Sequence, residues 1–277
     1  MDYCKSILIC GGDKRQKCMC RQMLADGLNV KTFALGDEYS VNTDSIGSFD
    51  VIIFPVPVSV DGINLNAPLV DYSISLDDIL PYLSKTQTVL GGMCDKINFD
   101  MTDYYKSEKL QTQNAIPTAE GAMRIAMENC DFTLYGSRCL VTGYGRIGKI
   151  LSKRLLDMGA RVTVCARKEK DLALAEAMGC KALPIEYISD GIGNTDIIFN
   201  TIPKVIITGD IVGKIKKSTP YIELASKPYG IDMTTARALG RKVIIASGLP
   251  GKFTPESSGK ILKEVIMEIL IQKEMEV

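Results

Sequence analysis

Residues 138–168 read RCLVTGYGRIGKILSKRLLDMGARVTVCARK. Arg138–Thr142 is a strand-like run, Gly143-Tyr144-Gly145-Arg146-Ile147-Gly148 follows it, and a helical run then leads into a second strand-like run, Arg161–Cys165. Strand, glycine turn, helix and strand in this order give a G-x-G-x-x-G motif its dinucleotide-binding meaning. Gly143 permits the tight turn, Gly145 lets backbone approach a pyrophosphate, and Gly148 lets helix and strand pack closely. The helix start also presents N–H groups and the positive end of a dipole to an anion. The turn residues Gly143, Tyr144, Gly145, Arg146, Ile147 and Gly148 are therefore the first cofactor-binding candidates.

The residues after the second strand choose the cofactor. An NAD site places Asp or Glu there, to accept from the ribose 2′-hydroxyl. This strand ends in Ala166-Arg167-Lys168. A carboxylate would repel a 2′-phosphate, whereas a guanidinium can bind it through two N–H groups. Arg167 and Lys168 join the cofactor candidates, and the expected cofactor is NADP(H). The bland alternative is a βαβ unit without a nucleotide, in which Arg167 is a solvated charge.

Composition sets the outer bounds. The chain has 277 residues, room for one large domain or two ordinary ones, and a formal net charge of zero. Nothing global suggests nucleic acid or an anionic membrane. Locally, residues 138–170 hold nine Lys/Arg against Asp157 and Glu169, which suits an anionic dinucleotide. No signal peptide and no run of about 18 apolar residues is evident, so a cytoplasmic location is expected. Nine cysteines fit free thiols in a reducing compartment. None forms a C-x-x-C pair, and no metal site is expected. Cys10, Cys139 and Cys165 read as small core residues. The chain has no histidine. That excludes Ser-His-Asp hydrolysis, Cys-His proteolysis, His-ligated metals and any dehydrogenase that works through a histidine.

Along the chain, strand-like runs at Ser6–Cys10, Val30–Leu35, Asp50–Phe54 and Thr86–Leu90 alternate with helix-length segments. That pattern predicts a doubly wound parallel α/β domain of the flavodoxin type over residues 1–116, holding the substrate. Ile116-Pro117-Thr118 breaks the pattern, and Thr118 is expected to cap the helix that enters the second domain. A Rossmann domain is expected over 117–252, with further strands near Lys181–Leu183, Asp196–Asn200, Pro220–Leu224 and Lys242–Ala246. Thr254-Pro255-Glu256 starts a last helix within 253–277. Its stripe of Ile261, Leu262, Val265, Ile266, Ile269 and Leu270 is expected to pack back on the first domain, with a dimer interface as the alternative. Asp77-Asp78 reads as a helix start, and Tyr104-Tyr105 as a pair packing near the domain surface without a role.

Ligands of parallel α/β sheets bind at the carboxyl ends of strands. Gly11-Gly12-Asp13-Lys14-Arg15 has the glycines of an anion-binding turn, with Arg15 placed for a carboxylate. Phe54-Pro55-Val56-Pro57-Val58-Ser59 forms a stiff wall in which Ser59 could bond a ligand. Asn200-Thr201-Ile202-Pro203 is expected beneath the nicotinamide ribose, so Asn200, Thr201 and Pro203 are further cofactor candidates. Ser226 and Lys252, in the loops after the next two strands, are expected to face a cleft between domains. The substrate candidates are thus Gly12, Asp13, Arg15, Ser59, Ser226 and Lys252. No catalytic base is assigned.

The series GGDKRQ, FPVPVSVDG, TAEGA, GYGRIGK with ARK after it, NTIP, LASKP and GLPGKFTPESSGKIL resembles the family of dipicolinate synthase A chains across nearly the whole sequence. The resemblance implies two doubly wound domains arranged like the D-2-hydroxyacid dehydrogenases, but without their catalytic histidine. It implies NADP-dependent oxidation of dihydrodipicolinate to dipicolinate (pyridine-2,6-dicarboxylate). The setting it implies is the mother-cell cytoplasm of a spore former, with the flavoprotein-like B chain of dipicolinate synthase as partner. Where related sequences tend to read Pro-Gly-Gly after the Ala-Ser, this chain has Lys227-Pro228-Tyr229-Gly230. The competing function is a non-catalytic module that senses NADP(H).

Overall fold

The computed structural model describes residues 5–275. The chain divides into two compact units: residues up to Asn114 together with those from Pro250 onward, and Ala115–Leu249.

The first unit is a five-stranded parallel sheet of order β2-β1-β3-β4-β5. The strands are β1 (Ile7–Cys10), β2 (Val30–Phe33), β3 (Val51–Ile53), β4 (Thr88–Gly91) and β5 (Thr102–Asp103). β1 is entirely buried because helices or loops cover both faces of a parallel sheet. Its alternation divides the core. Ile7 and Ile9 join Met19, Met23, Leu262 and Ile266 on one face, while Leu8 and Cys10 join Phe33, Ile52 and Phe54 on the other. Helix α1 (Lys14–Ala25) and the C-terminal helix Pro255–Met275 cover the first face. At Gly259 the two helices lie close together: a Cβ there would lie 2.7 Å from the Arg15 carbonyl oxygen. The stripe Leu262, Val265, Ile266 and Leu270 is core packing within this unit.

The second unit is a six-stranded parallel sheet of order β11-β10-β9-β6-β7-β8. Its strands are β6 (Arg138–Thr142), β7 (Arg161–Ala166), β8 (Lys181–Pro184), β9 (Ile197–Asn200), β10 (Tyr221–Glu223) and β11 (Val243–Ile245). This is the order of a dinucleotide-binding sheet, with the switch point between β6 and β9. β6 and β7 are joined by α3 (Arg146–Asp157), whose Gly148, Leu151, Ser152 and Leu155 are buried. The helix α4 (Glu169–Ala177) joins β7 to β8.

Three expectations are corrected. Ile116-Pro117-Thr118 does not break the chain, and Thr118 lies inside a helix instead of starting one: α2 runs from Glu108 to Asn129 with Pro117 inside it. Leu110, Ala115, Ala119, Ala122 and Ala126 are buried in one helical register through the proline. Their burial outweighs the missing N–H bond and ring clash, about 3 kcal/mol. Tyr104 is not a surface residue. It is 1% exposed, and its hydroxyl donates to the Phe54 carbonyl at 2.9 Å. β5 has only two residues, too short to show a sequence period. Asp77 and Asp78 stand in the first turn of a 3-10 turn capped by Ser75. Eight described cysteines are unpaired, and burial pushes Cys20 and Cys165 up to about 12 and Cys139 up to about 11. No described helix is long and apolar enough to cross a membrane.

Candidate cofactor and substrate sites

The three motif glycines of the second unit are needed for three different reasons. Gly143, directly after the buried β6, has φ +88°, and its N–H donates to the Cys165 carbonyl at 2.8 Å. A Cβ there would come within 2.4 Å of Thr201 Oγ1. Gly148 lies against the turn itself: its Cβ would be 2.2 Å from the Gly143 carbonyl oxygen. Gly145 caps α3 with ordinary dihedrals, and a Cβ there would meet nothing within 4 Å. No side chain caps this helix. The open side of Gly145 and the first-turn N–H groups are what a pyrophosphate requires.

Beside the turn is a cavity of about 520 Å³ lined by Gly143, Tyr144, Arg167, Lys168, Ile202 and Lys204, among others. Arg167 and Lys168 leave the end of β7 exposed, and Lys168 caps α4. Three cations face one carboxylate, Asp171, while Ile185, Ile202, Val205 and Ile206 supply an apolar wall. An apolar wall with an excess of positive charge could hold an anionic ligand that carries a flat ring. Tyr144 is 6% exposed, with the Lys149 ammonium 5.8 Å from its ring centre. Another cavity, about 560 Å³, lies at the amino ends of β6–β8 beside Arg138, Arg161 and Lys181, away from the glycine turn.

The loop after β9 is built differently from the expectation. Asn200 is 0% exposed and does not face the cavity. Its Oδ1 accepts from Thr142 Oγ1 at 2.5 Å and from the Ile202 N–H at 3.2 Å. Its Nδ2 donates to the Ile202 carbonyl at 2.9 Å and to Glu223 Oε1 at 2.6 Å. With every amide position occupied, Asn200 positions the loop from beneath and has nothing left for a ligand. Thr201 is half-buried, and its N–H and hydroxyl both donate to the Thr142 carbonyl, at 3.0 and 2.8 Å. Pro203 is exposed at the loop tip. Glu223, at the carboxyl end of β10, is 1% exposed and is the residue that sequence reading missed. A glutamate inside an apolar strand run was the only available signal. Ser226 and Lys227 follow it on an exposed loop.

In the first unit, four of the substrate candidates have hydrogen-bond partners within the fold. The glycine turn after β1 is not an open anion nest. Gly11 N–H donates to the Phe33 carbonyl at 2.7 Å, and Gly12 N–H to the Asn66 carbonyl at 2.8 Å. Asp13 is the N-cap of α1: its carboxylate accepts from the Arg15 N–H, and Gln16 Oε1 accepts from the Asp13 N–H. Arg15 Nε donates to the same carboxylate at 2.9 and 3.1 Å, while Nη2 donates to the Val56 carbonyl at 3.0 Å. Arg15 thus braces the Pro55–Val58 loop, its charge offset by Asp13. Ser59 is a turn residue, bonding Asp61 Oδ1 at 3.0 Å and accepting from the Gly62 N–H at 2.9 Å. Lys252 is exposed, with its ammonium 5.0 Å from the Phe253 ring centre. Gly12, Asp13, Arg15, Ser59 and Lys252 belong to the first unit and Ser226 to the second.

Residues 6–112 match the family model for the N-terminal domain of the dipicolinate synthase A chain. The solved dipicolinate synthase A chain from Bacillus subtilis superposes with a TM-score of 0.87 at 26% identity, covering 100% of this protein and 99% of that one. The chain is thus similar to dipicolinate synthase A chains, by sequence in its first unit and by fold along its length. The curated A chain of B. subtilis strain 168 is 32% identical over 172 residues, a match to 62% of this sequence and 58% of that protein's length. A Salmonella D-lactate dehydrogenase shares the fold at a TM-score of 0.57 and 12% identity, over 95% of each chain. The family's N-terminal model ends before the glycine turn, so the cofactor site described above rests on this chain's own geometry.

Proposed function

We propose that the protein is the NADP-dependent oxidoreductase component of a dipicolinate synthase, removing a hydride and a proton from dihydrodipicolinate to give pyridine-2,6-dicarboxylate. One observation carries the cofactor half. The open Gly145 turn lies beside a pocket lined by Arg167, Lys168 and Lys204 against one carboxylate, Asp171, an excess of positive charge that supports a 2′-phosphate there. The similarity to dipicolinate synthase A chains supports a redox role, and the substrate is inferred from that similarity.

The nicotinamide ring, when bound, supplies the hydride acceptor. The first-turn N–H groups of α3 hold the pyrophosphate, and Thr201 and Pro203 border the ribose. Ser226, on the exposed loop after β10, is proposed to meet a substrate carboxylate. Formation of an aromatic ring drives the oxidation, so a chain without histidine needs only modest help in removing the proton. The proposed setting is the mother-cell cytoplasm of a spore former, with the dipicolinate synthase B chain as partner.

Arg167→Ala tests the cofactor reading by calorimetry. NADP⁺ affinity should fall about 10- to 100-fold, the loss of a charged hydrogen bond, with NAD⁺ little affected. Equal losses for both cofactors would refute the 2′-phosphate role. Stopped-flow absorbance at the nicotinamide band, with dihydrodipicolinate and the B chain present, tests the reaction. If no reduced cofactor appears while NADP⁺ binds, the catalytic reading fails and a sensing role takes its place.

A further inference from the structure

Glu223 is a buried carboxylate with four hydrogen-bond donors around it and, among the described residues, no cation bonded to it. Asn200 Nδ2 at 2.6 Å and the Ala225 N–H at 2.9 Å donate to Oε1. The Gly230 N–H at 2.8 Å and the Tyr221 hydroxyl at 3.4 Å donate to Oε2. Tyr221 is the one titratable side chain among the described residues bonded to it, and burial keeps that phenol neutral. The strand register sets Glu223 beside Asn200, and Asn200 beside Thr142 at the foot of the glycine turn.

Two loops therefore depend on one side chain. Through Asn200, Glu223 reaches the loop 200–203, whose Ile202 is held by both its N–H and its carbonyl. Directly, it ties down both ends of the Leu224–Gly230 loop. Gly230 packs so tightly on Asn200 that a Cβ would stand 2.3 Å from Nδ2. Between the tied ends Tyr229 is held at φ +68°, a conformation a side-chain-bearing residue keeps only when its surroundings impose it.

We propose that Glu223 is a positioning residue whose charged carboxylate latches these two loops together, fixing the surfaces at the carboxyl ends of β9 and β10 where the nicotinamide half of the cofactor meets the substrate. The latch itself stands on the geometry; its catalytic consequence rests on the proposed function. Only a carboxylate serves all four donors. A glutamine keeps one acceptor and turns an NH₂ toward two of them. Asn200 cannot turn over to compensate, because its Oδ1 already accepts from Thr142 and Ile202. Burial pushes the Glu223 carboxyl above the usual carboxylate range, against the four hydrogen bonds that lower it. The latch should accordingly loosen at a higher pH than ordinary glutamates titrate.

The full-length wild-type protein gives the first test, by amide proton NMR as pH is lowered. The Ala225 and Gly230 amides should titrate with a common midpoint above the ordinary glutamate value, while Ile222 within β10 stays still. Glu223→Gln gives the second. Hydrogen exchange at Ala225 and Gly230 should accelerate about tenfold or more, as for a lost hydrogen bond to a charged group, with Ile222 still protected. NADP⁺ affinity should stay within about twofold, since the glycine turn and Arg167 hold it, while turnover with the B chain falls about tenfold or more. Unchanged amides in both experiments would overturn the latch. A turnover loss that only follows weakened NADP⁺ binding would overturn its positioning role. If wild-type protein binds no NADP⁺, the proposed function fails, and the amide data still decide the latch.

Discussion

Alanine at Gly145 and alanine at Gly148 should have opposite consequences, although the residues are three apart in one motif. At Gly148 the new Cβ would stand 2.2 Å from the Gly143 carbonyl oxygen, where carbon–oxygen contacts are normally about 3.3 Å or more. The opposing atom is backbone, in a turn already at φ +88°, so α3 must retreat by about 1 Å. Overpacking of this kind costs about 1–3 kcal/mol, and the better helix propensity of alanine returns at most about 1 kcal/mol. A net loss of about 1–2 kcal/mol lowers Tm by roughly 3–8 °C for a unit of this size. At Gly145 the Cβ meets nothing within 4 Å, and φ −79°, ψ −161° suits any residue. Stability should therefore change by less than about 0.5 kcal/mol. The same Cβ would intrude on a pyrophosphate, weakening NADP⁺ by about 10- to 100-fold. Thermal unfolding without ligand, and calorimetry with NADP⁺, separate the two effects. A Gly145→Ala protein that binds NADP⁺ as wild type does would refute the placement of the pyrophosphate. A Gly148→Ala protein that melts as wild type does would refute the packing argument.

Three further outcomes are expected. Tyr104→Phe strands the buried Phe54 carbonyl and should cost about 1–3 kcal/mol in denaturant unfolding, leaving NADP⁺ affinity unchanged. Gly259→Ala should destabilise by about 1 kcal/mol or more, because the Cβ meets the Arg15 carbonyl oxygen at 2.7 Å and the Met19 nitrogen at 2.9 Å; wild-type urea unfolding would refute that close helix contact. Arg138 beside Asp196 holds its carboxyl below the usual range. The folded state then binds fewer protons than the unfolded one, so this pair's stabilisation is present above about pH 4 and is lost as pH falls through the folded value. Asp196→Asn should flatten the acid limb of the stability–pH curve, and an unchanged limb would refute the assignment.

The legible part of the molecule was local. The glycine turn, its flanking strands and the arginine after β7 lie within one continuous segment, so their spacing carries their meaning. The apolar runs of the two parallel sheets are also contiguous. Pro117 misled because a helix interior penalises proline locally, while the buried stripe that outweighs the penalty is a matter of packing. The turn at Gly11-Gly12 misled for a related reason. Its N–H groups meet the Phe33 and Asn66 carbonyls, from segments about 20 and 50 residues away. Arg15 is likewise committed to Val56, across 41 residues. Glu223 could not be distinguished from any strand-end glutamate until β9 and β10 were set side by side.

By itself, the sequence determined the fold type of each sheet and the absence of histidine from any site, because periodicity, motif spacing and residue type need no partner to be read. Only tertiary structure decided which polar groups remain free for a ligand. A hydrogen-bonding group is available only when nothing else in the fold satisfies it, and the partners of Asn200, Arg15 and Glu223 come from other strands and loops.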